Sequence, residues 1–151
     1  MKKYTAQLLK NQFILVSENH DEMGRIVHIR KLFFGRHYII LNSRSYDIRN
    51  VGFLKNDLEL FTAKGVIYFT DLAKERIIKS GGNVRVYYFK LGVTNQLFEK
   101  EKLLIEIRTE KKRFKDPVYY LEADDSVDDL LVLLFLHYST KEFNYIGGDG
   151  D

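Results

Sequence analysis

The densest charge in the chain is the stretch "RTEKKRFK", in which Arg108, Lys111, Lys112, Arg113 and Lys115 surround Phe114. Cations packed this closely suit an anionic ligand or a membrane surface, where each contributes about 1 kcal/mol near negative headgroups. The single aromatic ring adds an apolar contact. The competing reading is a solvated hairpin turn between "KLLIEI" and "PVYYLEA", which is what most charge runs in turns are. A nucleic-acid surface is disfavoured, because no recognition helix, zinc finger or RNP-type motif accompanies the patch.

The other residues with chemistry to offer are less organised. "DDSVDD" at 124–129 holds four carboxylates, which are hard ligands for a divalent cation, but the spacing is not that of an EF-hand loop. Negative charge at the start of a helix explains the same acids through the helix dipole. The terminal "GGDGD" reads as a loose acidic tail over 147–151. His20, His28, His37 and His137 show neither HxH nor HExxH spacing, and Asp57 and Glu59 share one face of a strand with no motif around them. His137 falls at the end of an apolar run, where it would meet the last carbonyls of a helix. There is no GxSxG, P-loop or GxGxxG, and no cysteine, so thiol catalysis, disulfides and Cys-ligated metal are excluded. The expectation is no catalytic residue, no metal and no cofactor. A hydrolytic or metal-dependent enzyme ranks third among the functional readings.

Charge is distributed unevenly along the chain. Basic residues outnumber acidic ones nine to four in 1–50 and fourteen to eight in 51–115, whereas 116–151 hold one base against nine acids. A basic body therefore carries an acidic C-terminal segment. The N-terminus starts basic, but polar residues break its apolar stretch and no cleavage site follows, so it does not read as a signal peptide. No run reaches the ~18–20 apolar residues of a membrane span. The expected location is cytoplasmic, including the inner membrane surface.

The elements that must position these groups are mostly strands. "QFILVS", "RIVHIRKLFF", "HYIILN", "SYDIRNVGF", "DLELFTA", "VIYFT", "VRVYYFKL", "KLLIEIRT" and "PVYYLEA" are short extended segments at roughly ten-residue spacing. Turns are expected around Gly24, Gly35, Lys64–Gly65 and "SGGN". The segment 71–82 fits a short helix capped by Asp71 or a strand, and strand is preferred. Such spacing implies an antiparallel barrel or sandwich.

Then comes "SVDDLLVLLFLHYS" at 126–139. Ser126 is the expected N-cap, and Leu130 to Leu136 are seven consecutive apolar residues, which at ~100° each cover the whole helix circumference. A helix with no polar face must be enclosed, and Leu130, Leu131, Leu133, Leu134 and Phe135 are its expected core. Leucine dominance favours helix over a buried strand.

A closed sheet can surround such a helix. At this point the chain resembles the tubby C-terminal, phospholipid scramblase and LURP-one-related superfamily, as a compact bacterial-type member. The resemblance covers Arg25 to Tyr138 and rests on "SYDIRNVGF…DLELFTAKGVIYF", "YYFKL", "PVYYLEA" and "DDLLVLLFLHY". It implies a mainly β fold: a closed antiparallel barrel around a hydrophobic C-terminal helix, with residues 1–146 as a single domain. The expected function is a non-enzymatic binding module that recognises an anionic ligand, an anionic phospholipid surface or a protein partner through its basic face. The runner-up is an α+β protein whose terminal helix forms a lid over a small apolar ligand, in a pocket of ~300–1,000 Å³.

Overall fold

Alternation along each extended segment turns one side chain inward and the next outward, and twelve strands built this way close on one another. The computed structural model describes residues 1–31, 34–52, 54, 56–111 and 113–148, apart from the side chains of 30, 31, 34 and 141–148. The strands are β1 (Lys2–Leu9), β2 (Gln12–Ser17), β3 (Glu22–Lys31), β4 (Phe34–Leu41), β5 (Arg44–Val51) and β6 (Asp57–Thr62). They continue as β7 (Gly65–Asp71), β8 (Arg76–Lys79), β9 (Arg85–Lys90), β10 (Thr94–Glu99), β11 (Lys102–Glu110) and β12 (Val118–Ala123). Each pairs antiparallel with its sequence neighbours, and β1 pairs with β12 from Lys2↔Ala123 to Gln7↔Val118. The barrel is closed, so no sheet edge is left for another chain to extend.

The helix α1 (Asp129–Gly148) follows β12 and enters the barrel. Leu130 to Leu136 are at most 5% exposed, and they share one core with Tyr4, Leu15, Ile26, Ile39, Leu60, Ile77, Leu97, Ile107 and Leu121 of the inward-facing wall. Helix and wall approach closely at Gly24 of β3. A Cβ built there would lie 2.8 Å from Leu133 Cδ1 and 3.0 Å from the Ile40 carbonyl oxygen. This explains a glycine in mid-strand, a position where it otherwise weakens a sheet. The apolar circumference read from the sequence is thus satisfied by walls on all sides. The helix is an axis, not the lid of the α+β alternative.

Several local expectations change. The helix begins at Asp129, and its N-cap is Asp128, whose carboxylate accepts the Leu130 N–H at 2.8 Å. Ser126 instead serves the preceding turn: its hydroxyl and its N–H both donate to Asp124 Oδ2. The helix reaches Gly148, two residues into the segment read as a tail, and residues 149–151 lie outside those described. Gly24 and Gly35 are within β3 and β4 rather than in turns, with Gly35 opposite Arg30. Residues 71–82 are both things at once: a single 3-10 turn over Leu72–Lys74, closed by Glu75 in the left-handed region (φ 52°), and then β8.

β1 and β10 are strands that hydropathy did not reveal. In β1 the inward residues are Tyr4 and the small Ala6, flanked by Lys, Thr and Gln. In β10 one inward position is Asn95, 4% exposed, whose side-chain oxygen accepts the Gly92 N–H at 3.2 Å. A polar residue that satisfies itself locally can occupy a core position without marking it in the sequence.

Candidate functional site at one end of the barrel

Because the strands alternate in direction, every connection lies at one of two ends. The helix enters at the end that holds the β2–β3, β4–β5, β6–β7, β8–β9 and β10–β11 connections. The β1–β2, β3–β4, β5–β6, β7–β8, β9–β10 and β11–β12 connections lie at the other end, toward which α1 runs.

The entry end is acidic, and the carboxylates around the helix start are occupied. Asp124 accepts the two Ser126 hydrogen bonds and lies 3.3 Å from Lys102 Nζ, and these contacts hold its carboxyl down at about 2. Asp128 caps the helix. Asp129 accepts a hydrogen bond from the Tyr4 hydroxyl at 2.6 Å and pairs with Lys2 at 3.6 Å. Burial first, and then this carboxylate, push the Tyr4 phenol well above its usual range. The acids of "DDSVDD" thus organise the helix start. Among the described residues no group of three or more His, Asp or Glu is placed to hold a metal.

The opposite end carries the candidate residues. Lys111, Arg113 and Lys115 sit in the β11–β12 connection, exposed, around Phe114, whose ring is 94% exposed and lies 5.2 Å from the Arg113 guanidinium carbon. Lys112 lies outside the described residues. Arg108 is apart from them: it stands on the outer wall in β11, 5.4 Å from the Tyr120 ring centroid, and lines a groove of about 310 Å³ with Lys3 and Glu18. Lys10 of the β1–β2 turn and Lys74 of the 3-10 turn join the same end. Its described connections hold Glu75 and Asp116 as their acids, whereas those of the entry end hold Glu18, Asp21, Glu101, Asp124, Asp125 and Asp128.

Five arginines of the wall are ion-paired, whereas Lys3, Arg44, Lys79, Lys90 and Arg108 on the strands have no ion-pair partner among the described residues. Arg25 pairs with Glu22, Arg36 with Asp47, Arg49 with Glu59, Arg76 with Asp71 and Arg85 with Glu99. The Arg85 hydrogen bond holds the Glu99 carboxyl below its ordinary value. Lys10, Lys74, Lys111, Arg113 and Lys115 have no ion-pair partner among the described residues. Of the two strand acids noted in the sequence, Glu59 is thereby paired. Asp57 Oδ1 accepts the Thr70 hydroxyl and the Leu72 N–H, both at 2.8 Å.

Two groupings were invisible in the sequence. The exposed apolar residues Leu54, Val93 and Phe114 fall on three connections of the basic end and Leu9 at the strand end beside a fourth, an arrangement that only strand direction reveals. His28, His37 and His137 also converge, with ring centroids 4.0 Å apart between the first pair and 4.9 Å between the second. The register pairs His28 with His37, and the helix brings His137 beside them from within its length rather than from its end. The first pair meets edge to face and the second at a tilt, as side chains of one packed region. A surface groove of about 750 Å³ at the entry end is lined by Arg44, Tyr46, Lys64, Ile67 and Lys79. A small cavity of about 120 Å³ lies at the helix mouth beside Tyr68, Tyr87 and Asp128.

No family model, curated protein or solved structure matches the chain.

Proposed function

We propose that the protein is a non-enzymatic binding module that docks its basic end on an anionic, phosphate-bearing surface. One observation carries this reading: the connections of the end remote from the helix mouth hold five cations without ion-pair partners among the described residues and only Glu75 and Asp116 as acids, whereas six acids stand on the connections at the helix mouth. Long-range attraction comes from charge that is not already paired, and the field of such an end steers the molecule toward negative surfaces. A barrel whose axis is a leucine-rich helix offers its ends and outer wall, rather than its interior, for recognition. The architecture supports the resemblance to the tubby-like superfamily as a proposal about kinship.

The test is co-sedimentation with phosphatidylcholine vesicles containing phosphatidylserine, at low and at high salt. Binding is expected at low salt, and it should weaken as the screening length falls from ~10 Å toward ~3 Å in molar salt. Lys111→Glu together with Lys115→Glu should abolish most of it. Binding that ignores both salt and this charge reversal would overturn the proposal, as would no binding at low salt.

A further inference from the structure

Four of the seven large apolar side chains that are exposed in the described structure sit at the basic end: Leu9 at 50%, Leu54 at 74%, Val93 at 97% and Phe114 at 94%. Two more, Met1 and Val84, are at the acidic end, and Tyr88 is on the wall. Around the rim of the basic end the β9–β10, β11–β12 and β1–β2 connections are consecutive, because β12 pairs with β1. Val93, Phe114 and Leu9 therefore occupy three neighbouring tips, interleaved with Lys10, Lys111, Arg113 and Lys115.

The backbone adds a second, independent observation. Phe114 has φ 66° and Leu54 has φ 61°, both in the left-handed region. Glycine or asparagine adopts that conformation with less strain, and turn positions of this kind are where they are expected. Each site instead holds a large apolar side chain in a strained backbone and in water. Neither local conformation nor core packing calls for it. Strain kept at an exposed tip is a reason to look for a function there.

From these features we infer that the basic end is a bilayer-inserting surface. Val93, Phe114 and Leu9, with Leu54 across the rim, enter the interfacial region of a membrane while the cations between them contact anionic headgroups. The inference rests on the proposed anionic-surface reading and adds to it that the surface is a lipid bilayer, entered rather than merely approached. A bilayer fits better than a protein partner. The apolar groups stand on or beside separate turns with charged residues between them, whereas a protein interface buries a contiguous apolar centre within a polar rim. Aromatic and aliphatic tips beside Lys and Arg are the composition that binds at the lipid interface.

The chain has no tryptophan, so a single introduced indole reports one position. Phe114→Trp and Val93→Trp are prepared separately, with Val84→Trp at the acidic end as the control. Each is mixed with phosphatidylserine/phosphatidylcholine vesicles carrying brominated acyl chains. A blue shift and bromine quenching are expected at positions 114 and 93 but not at 84. Phe114→Gly, which suits the left-handed backbone, should leave the urea midpoint unchanged or raised and lower the vesicle partition coefficient at least about tenfold. If the protein co-sediments with the vesicles but positions 114 and 93 stay unquenched, insertion is refuted and the electrostatic reading survives. If Phe114→Gly binds as tightly as the parent protein, insertion is likewise refuted. No co-sedimentation at all overturns both readings.

Discussion

Gly24 shows how far a single residue can be pressed by a fold. Its absent side chain is the space through which α1 lies against β3, with Leu133 Cδ1 and the Ile40 carbonyl oxygen on either side of the gap. The carbonyl belongs to the paired β4 backbone and yields less readily than the leucine. Gly24→Ala should therefore destabilise by about 1–3 kcal/mol, the range for overpacking a dense core, seen as a lower urea midpoint. Asp124 makes a prediction of another kind. The Ser126 hydrogen bonds, followed by Lys102, favour its ionised form and place its titration at about 2. A carboxyl depressed on folding stabilises the native state above its unfolded value, and that contribution fades as pH falls through the folded one. Carboxyl carbon NMR should find the Asp124 midpoint at about 2, and Ser126→Ala should raise it toward the ordinary aspartate range. A midpoint unmoved by Ser126→Ala would show that the turn hydrogen bonds are not its cause.

At the scale of elements, α1 is the part most open to test. Leu134 is fully buried with wall on every side, so Leu134→Ala leaves a cavity that neighbouring strands, hydrogen-bonded into a closed ring, cannot collapse to fill. The expected cost is about 2–5 kcal/mol by urea unfolding. An unchanged midpoint would mean that the helix contributes little to the core. The helix was legible beforehand because seven apolar residues in a row leave no alternative to enclosure. Nine strands were legible from alternation and turn residues. Of the remaining three, β8 was preferred as strand but not separated from the 3-10 turn before it, and β1 and β10 were obscured because Ala6 is too small and Asn95 too polar to signal an inward position. Gly24 and Gly35 misled because a glycine in a strand and a glycine in a turn look alike until packing is known. Within the candidate site, the basic loop between β11 and β12 was visible as a charge run. Its apolar companions were not. Leu9, Leu54 and Val93 are scattered singly through the sequence, and only strand direction brings them to one end.

For the molecule as a whole, the two ends differ in charge and in how that charge is used. At the helix mouth, carboxylates are engaged in caps, turns and ion pairs, whereas the far end keeps its cations available. A particle polarised along its axis should meet a negative surface with one end leading, which makes orientation part of binding. Closure has a further consequence, in the order of synthesis. The first strand pairs with the twelfth, and the helix that fills the interior follows both. The long-range pairing that seals the ring, and the leucines that dry its centre, thus reach the folding chain after nearly all its strands have been made. Non-local contacts of this kind are slow to form because loop closure must precede their reward. Until the helix arrives, the inward faces of the strands have nothing to bury against. A nascent chain of this protein therefore spends its synthesis with a half-made, apolar-lined sheet, the state in which folding proteins are most exposed to aggregation and most dependent on chaperones.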